Sequence, residues 1–215
     1  GARLFVEPGE GFPPGFIATV GWGGFILLLA ASPLYELTVS LRMEKMNGTL
    51  EQLFLSPLPK TPILLGRSAR SQILSLPYGA IYLAAVTYLL GLLPMQNPVL
   101  ALYALLLSLP IFYGMGMAIS AATFWAREVI PVTMLIQIGI MFLSGIVLPF
   151  TLMPPELRAV ALLIPTSYGV DVFRSAAVGA PPELLPNPTV ELLILHILVF
   201  ATPAVGLAMH RAVIR

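Results

Sequence analysis

Arg42, Glu44, Lys45 and Glu51 place four charges within ten residues, in the run RMEKMNGTLEQLFLSP (42–57) of a 215-residue chain that is only 10% charged. The chemistry this run offers is docking. Met43, Met46, Leu50, Leu53 and Phe54 recur at the spacing of one apolar helical face, and Glu44, Lys45, Glu51 and Gln52 mostly occupy the rest of the circumference. Asn47-Gly48 is expected to break the pattern. Thr49-Leu50-Glu51-Gln52 then reads as a capping box, in which the Thr49 hydroxyl and the Gln52 amide satisfy the first free backbone donors. Glu51 suits the positive end of such a helix, and Pro57 and Pro59 stop it. On these features alone two readings stand. One is a helix lying on the membrane surface, held by Arg42 and Lys45 at anionic headgroups. The other is a helix whose polar face fits a partner protein.

Catalytic patterns are missing elsewhere. There is no Gly-rich phosphate loop followed by Lys-Ser/Thr, no His/Asp/Glu metal spacing and no Gly-x-Ser-x-Gly elbow. With no cysteines, thiolate metal sites, disulfides and cysteine nucleophiles are excluded, and a net charge of +1 gives no footprint for bulk nucleic-acid binding.

The elements that position the run follow from composition. The chain is 58% hydrophobic with a mean hydropathy of +0.92, where soluble domains carry about 25% charged residues. This is the composition of an all-α integral membrane protein. Five stretches reach the roughly 20 apolar residues a spanning helix needs: about 16–37, 73–93, 99–125, 129–152 and 192–209. Prolines 33, 77, 110 and 203 are expected to kink helices. Eight basic residues (Arg42, Lys45, Lys60, Arg67, Arg70, Arg127, Arg211, Arg215) fall on one side of this topology and three (Arg3, Arg158, Arg174) on the other. The richer side is read as cytoplasmic, which puts 153–190 outside. That segment contains a short apolar run, Ala159 to Pro165, a second helical pattern around Val170 to Val178, and the connector PPELLPNP (181–188). Segments this short are interfacial or re-entrant rather than spanning. No second domain is visible, so 1–215 reads as one transmembrane domain.

Other polar residues have plain readings. His196, near Glu191 at the outer end of the last span, is expected to make a packing hydrogen bond. Arg67 and Arg70 snorkel to headgroups. Gly21, Gly23, Gly24, Gly114 and Gly116 allow close helix approach. Arg127-Glu128 is a solvated turn, and Asp171 and Arg174, one turn apart, are placed to pair.

The run from Arg42 to Pro59 resembles the signature of type-2 ATP-binding-cassette exporter permeases. There a basic–acidic pair precedes Gly-Thr-Leu-Glu, followed by a Leu, Ser-Pro and another basic residue. This chain has Arg42, Glu44 and Lys45, then Gly48-Thr49-Leu50-Glu51, Leu53, Ser56-Pro57 and Lys60; the acidic residue is not directly adjacent to Arg42. LSGIVLPFTLMPPELR after the fourth span and PTSYGVDVFRSAAVG before the last are similar to the corresponding family segments. The resemblance implies that Arg42, Glu44, Lys45, Gly48, Thr49, Leu50, Glu51, Leu53, Ser56 and Pro57, within 42–60, form or flank a cytoplasmic coupling helix seated in a separate nucleotide-binding ATPase subunit. It implies a helix bundle with an external helical hairpin at 153–190, a homodimer of permeases, and a prokaryotic inner membrane. No cofactor is expected on this chain; ATP and Mg belong to the partner. Family members have six spans, so the first span seen here matches the family's second, and one further helix is expected upstream of Gly1. An ion-gradient-driven transporter would need charged residues at the membrane midplane, and a membrane enzyme or a scaffold would need a polar constellation facing a cavity.

Overall fold

Backbone amides find no partner in hydrocarbon, so an apolar chain closes its hydrogen bonds within helices. A computed structural model describes residues 14–48, 60–90, 94–123 and 129–214. Among the described residues there are seven α-helices and no strand: α1 Pro14–Met46, α2 Lys60–Leu90, α3 Pro98–Thr123, α4 Val129–Leu143, α5 Pro155–Ala161, α6 Pro165–Val178 and α7 Pro188–Ile214. A single 3-10 turn, Phe150–Leu152, stands between α4 and α5. Among the described residues, four helices hold stretches long and apolar enough to cross a bilayer: Ala18–Ser40, Ala69–Leu89, Pro98–Ala122 and Pro188–Val213. This is a polytopic helical membrane protein. Each of the four long helices runs on through its internal proline, at 33, 77, 110 and 203.

The expected span over 129–152 is corrected. Its helix ends at Leu143 after 15 residues, about 22 Å at 1.5 Å per residue, short of the roughly 30 Å of hydrocarbon. The chain turns there because Gly145 adopts φ +76°, a left-handed conformation that ends helices. The Ser144 N–H still donates to the Ile140 carbonyl at 2.7 Å, and that of Val147 reaches back to Met141 at 3.4 Å. The apolar residues beyond the turn fold inward: Ile146 and Phe150 are buried in the core.

α3 is the centre of the bundle, packing most extensively on α7 and also on α6 and α1, while α1 packs on α2. α6 is an interior element. Eleven of its 14 residues are buried within the protein. It is seated by Trp22 of α1 edge-on to Phe173, with ring centroids 6.4 Å apart. It ends at Gly179, whose φ of +76° places the cap N–H on the Ser175 carbonyl. The link between α2 and α3 closes beside it: the Gln96 and Asn97 N–H groups donate to the Ala177 and Ala176 carbonyls at 3.1 and 3.0 Å.

Candidate functional site

The sequence-predicted docking run begins at the end of α1. That helix has 33 residues, about 50 Å of rise, and its apolar stretch ends at Ser40. Residues 41–46 therefore continue beyond the span. α2 starts at Lys60 while its apolar stretch starts at Ala69, so residues 60–68 project as well. Both projections lie at one end because α1 and α2 pack antiparallel. Gly79 of α2 faces the Phe25 ring of α1, where a Cβ would stand 3.1 Å from Cε2, and Gly24 of α1 accommodates the Tyr82 ring.

α1 stops where the break was expected. The Asn47 N–H donates to the Met43 carbonyl at 2.9 Å, and Gly48 has φ +68° with open space around it. Met43 and Met46 are exposed. Arg42 is half-buried, and its Nε is buried without a hydrogen-bond partner. Glu44 and Lys45 sit on the same last turns of α1, but their side chains lie outside the described residues. Thr49, Leu50, Glu51, Leu53, Ser56 and Pro57 lie wholly outside them, as do Arg127 and Glu128. The structure thus brings Arg42, Glu44, Lys45 and Gly48 together at the projecting end of α1. Of the two arginines before the α2 span, Arg70 is exposed, and the Arg67 side chain lies outside the described residues.

The opposite end carries a polar cluster that sequence reasoning saw only in part. Asp171 and Arg174 of α6 were expected to pair; each is instead committed to a different backbone. Asp171 Oδ2 accepts the N–H groups of Glu183 and Leu184 at 2.8 and 2.6 Å. Arg174 Nη2 donates to the Gly145 carbonyl and, at 3.4 Å, to that of Ile146. Burial pushes the Asp171 carboxyl above its ordinary range, opposed by the Leu184 amide. Burial likewise lowers the Arg174 guanidinium from its usual value, with Glu183 and Asp171 acting in the other direction. Glu183 extends the cluster, its Oε2 accepting the Thr151 N–H at 3.0 Å.

Glu191, expected near the outer end of the last span, is inside α7 and wholly buried. Neither oxygen of its carboxyl has a hydrogen-bond partner. The signal that marks it in the sequence is chemical rarity, since acidic groups inside spans are expensive and need company. His196 makes the packing bond expected of it: Nδ1 donates to the Leu192 carbonyl at 2.6 Å, leaving Nε2 to accept from the Tyr103 hydroxyl. The glycine readings also hold where the structure describes the neighbours. Gly23 and Gly24 of α1 lie against the Ile146 carbonyl and the Tyr82 ring, and Gly116 of α3 against the Pro33 carbonyl.

Among the described residues no three or more His, Cys, Asp or Glu side chains are grouped to hold a metal ion. What the arrangement provides is mechanical: a helical pair projecting at one end and a fastened helical insert at the other. No curated protein and no solved structure matches the chain. A family model described as ABC-2 type transporter matches residues 11–178, from α1 through α6. That match covers most of the chain and falls on the elements just described, so the protein belongs to the ABC-2 type transporter family, as a multi-pass transmembrane subunit of a transporter that partners an ATP-binding subunit.

Proposed function

We propose that this chain is the permease of an ATP-driven exporter and that residues 42–60 form its coupling element. The observation that carries the reading is the projection of α1 and α2 past their apolar spans at one end, with the Gly48-Thr49-Leu50-Glu51 run joining them. The basic residues concentrate at this end, which makes it the cytoplasmic one. A separate ATPase subunit binds ATP and Mg and seats Glu51 and the polar face of the coupling helix. Closure of two such ATPase subunits moves α1 and α2 together, and the packing of α1 on α3 carries the displacement into the bundle. Binding that favours one state shifts the population between inward- and outward-facing forms. Two copies of this chain face one another in a prokaryotic inner membrane. An ion-gradient mechanism is less well supported: Glu191 is the fourth residue of α7, at the end of its span rather than at the midplane.

The test is charge reversal at the coupling helix. Glu51→Lys should cost about tenfold or more in affinity for the co-expressed ATPase subunit, the scale of a lost charged contact with a like charge put in its place. Transport should fall with it, while the permease itself stays folded. Unchanged co-purification and transport would show that Glu51 does not seat the ATPase.

A further inference from the structure

A proline inside a helix withholds the N–H that would meet the carbonyl four residues earlier. Pro33 of α1 therefore leaves the Leu29 carbonyl without its helical donor, and Pro203 of α7 does the same to that of Val199. In both helices the residue just before the proline carries a hydroxyl: Ser32 in α1 and Thr202 in α7. A Ser or Thr hydroxyl reaches the carbonyl three or four residues back along its own helix. Three residues back from Ser32 and Thr202 stand Leu29 and Val199, whose carbonyls the prolines left free.

Neither hydroxyl uses that reach. Ser32 Oγ and Thr202 Oγ1 are buried and have no hydrogen-bond partner. Other serines of the bundle do make such a bond. Two residues before Pro77 of α2, Ser75 Oγ donates to the Gln72 carbonyl at 2.7 Å. Two residues before Pro110 of α3, Ser108 Oγ donates to the Ala104 carbonyl at 2.6 Å. α1 and α7 differ from them: each keeps a donor and an acceptor in reserve beside its proline. Joining the two bends the helix, because a side chain that enters the backbone ladder changes the kink there.

The two places lie against neighbouring glycines of α3. A Cβ on Gly114 would stand 2.6 Å from the Pro203 nitrogen, and one on Gly116 would stand 3.0 Å from the Pro33 carbonyl carbon. With no side chain in between, α3 offers bare backbone on which each neighbour can change its angle. From Pro33, α1 continues to Met46, about 20 Å of rise. From Pro203, α7 continues to Ile214. Arg42 and Lys45 lie on the first arm and Arg211 on the second, so both arms end on the basic side.

We propose that Ser32-Pro33 and Thr202-Pro203 are a matched pair of hinges on either side of α3. As the cytoplasmic arms of α1 and α7 swing, each hydroxyl closes onto the carbonyl its proline leaves free, Leu29 in α1 and Val199 in α7. The bent state gains a hydrogen bond in each helix that the present state lacks. What pushes the α1 arm rests on the reading of residues 42–60 as the coupling element; the hinges themselves belong to the spans.

The chain has no cysteine, so spin labels on Met46→Cys and Met209→Cys, at positions 67% and 40% exposed, report the distance between the two arms without background. The measurement is double electron–electron resonance on the permease with its co-expressed ATPase subunit in lipid nanodiscs. Labelled chain is diluted with unlabelled, and spectra are taken with and without a non-hydrolysable ATP analogue and Mg. A bend of about 20° over about 20 Å moves an arm tip by about 7 Å, so the analogue should shift the wild-type distance by about 5 Å or more. Ser32→Ala or Thr202→Val should lower the ratio of shifted to unshifted chains about fivefold, the scale of one hydrogen bond made in the bent state alone. Thr202→Ser keeps the hydroxyl and should keep the wild-type ratio.

Neither Ser32→Ala nor Thr202→Val should lower the melting temperature of the permease alone, because both hydroxyls are unbonded in the present state. A lower melting temperature would overturn the proposal. So would variants that shift as wild type does, or a wild-type distance that the analogue leaves unchanged. The coupling reading is decided by co-purification of Glu51→Lys, in which neither hydroxyl takes part, so the two can fail separately.

Discussion

Gly114 of α3 and Pro203 of α7 meet backbone to backbone: a Cβ on Gly114 would stand 2.6 Å from the Pro203 nitrogen and equally close to the Thr202 carbonyl carbon. Gly206, about one turn further along α7, lies against the Gly114 carbonyl. Lipid tails are as apolar as the helices, so burial gives little reason for two helices to associate. Close packing at small residues supplies it instead.

Gly114→Val or Gly206→Val should therefore destabilise the bundle by about 1–3 kcal/mol through overpacking, seen as a lower melting temperature in detergent. Gly139 of α4 is the contrasting site: a Cβ there would meet nothing within 4 Å. Gly139→Ala should leave stability unchanged or raise it by about 0.5–1 kcal/mol from helix propensity. Equal effects at the three positions would refute the packing account.

Arg174 should act as the strut that holds the turn after α4. Arg174→Met keeps much of the side chain's length but removes the donor to the Gly145 and Ile146 carbonyls. Buried carbonyls left unpaired cost about 1–3 kcal/mol, so exchange protection and protease resistance around 144–150 should drop. Arg174→Lys, with a point charge in place of a planar fork, should restore only part of that protection. Full protection in Arg174→Met would show that the turn holds itself.

The Tyr103–His196 pair lies on the outer face of α3 and α7, and both residues are exposed. Tyr103→Phe should cost about 1 kcal/mol, the net value of one hydrogen bond, and leave transport unchanged. In a double-mutant cycle with His196→Ala the two effects should be less than additive. A large loss of transport in Tyr103→Phe at unchanged stability would mark the pair as functional rather than structural.

Stability should decline toward alkaline pH through Asp171. Burial raises its folded pKa above the ordinary value of 3.8, so the folded chain holds this proton more tightly than the unfolded one. The resulting stabilisation is fully present below that ordinary value and is lost as the pH rises through the raised folded value. Asp171→Asn removes the titrating group, and its side-chain oxygen can still accept from the connector amides. Its melting temperature should fall less steeply than that of wild type between about pH 5 and about pH 9. Parallel curves would exclude Asp171 as a source of the dependence.

Much of this architecture was legible in the chain itself, because a bilayer imposes one-dimensional rules. Length and apolarity alone mark the helices that hold Ala18–Ser40, Ala69–Leu89, Pro98–Ala122 and Pro188–Val213, since nothing else satisfies a backbone in lipid. Asn47-Gly48 announced the end of α1, because glycine reaches φ +68° without the steric cost of a side chain. The docking reading of 42–57 rests on charge and helical spacing, which are local properties too.

Where the chain turns back on itself, local rules gave the wrong answer. Hydropathy carried the fourth span to 152, but Gly145 and the pull of the core on Ile146 and Phe150 ended its helix at Leu143. Spacing paired Asp171 with Arg174, whereas acceptors and donors distant in sequence, at 145–146 and 183–184, outcompeted the local partner. The complete burial of Glu191 is likewise invisible along the chain. Hydrophobicity and backbone satisfaction are summed along a segment, so sequence determines them. Which buried polar group meets which depends on how helices far apart in the chain pack, and only the tertiary structure decides that.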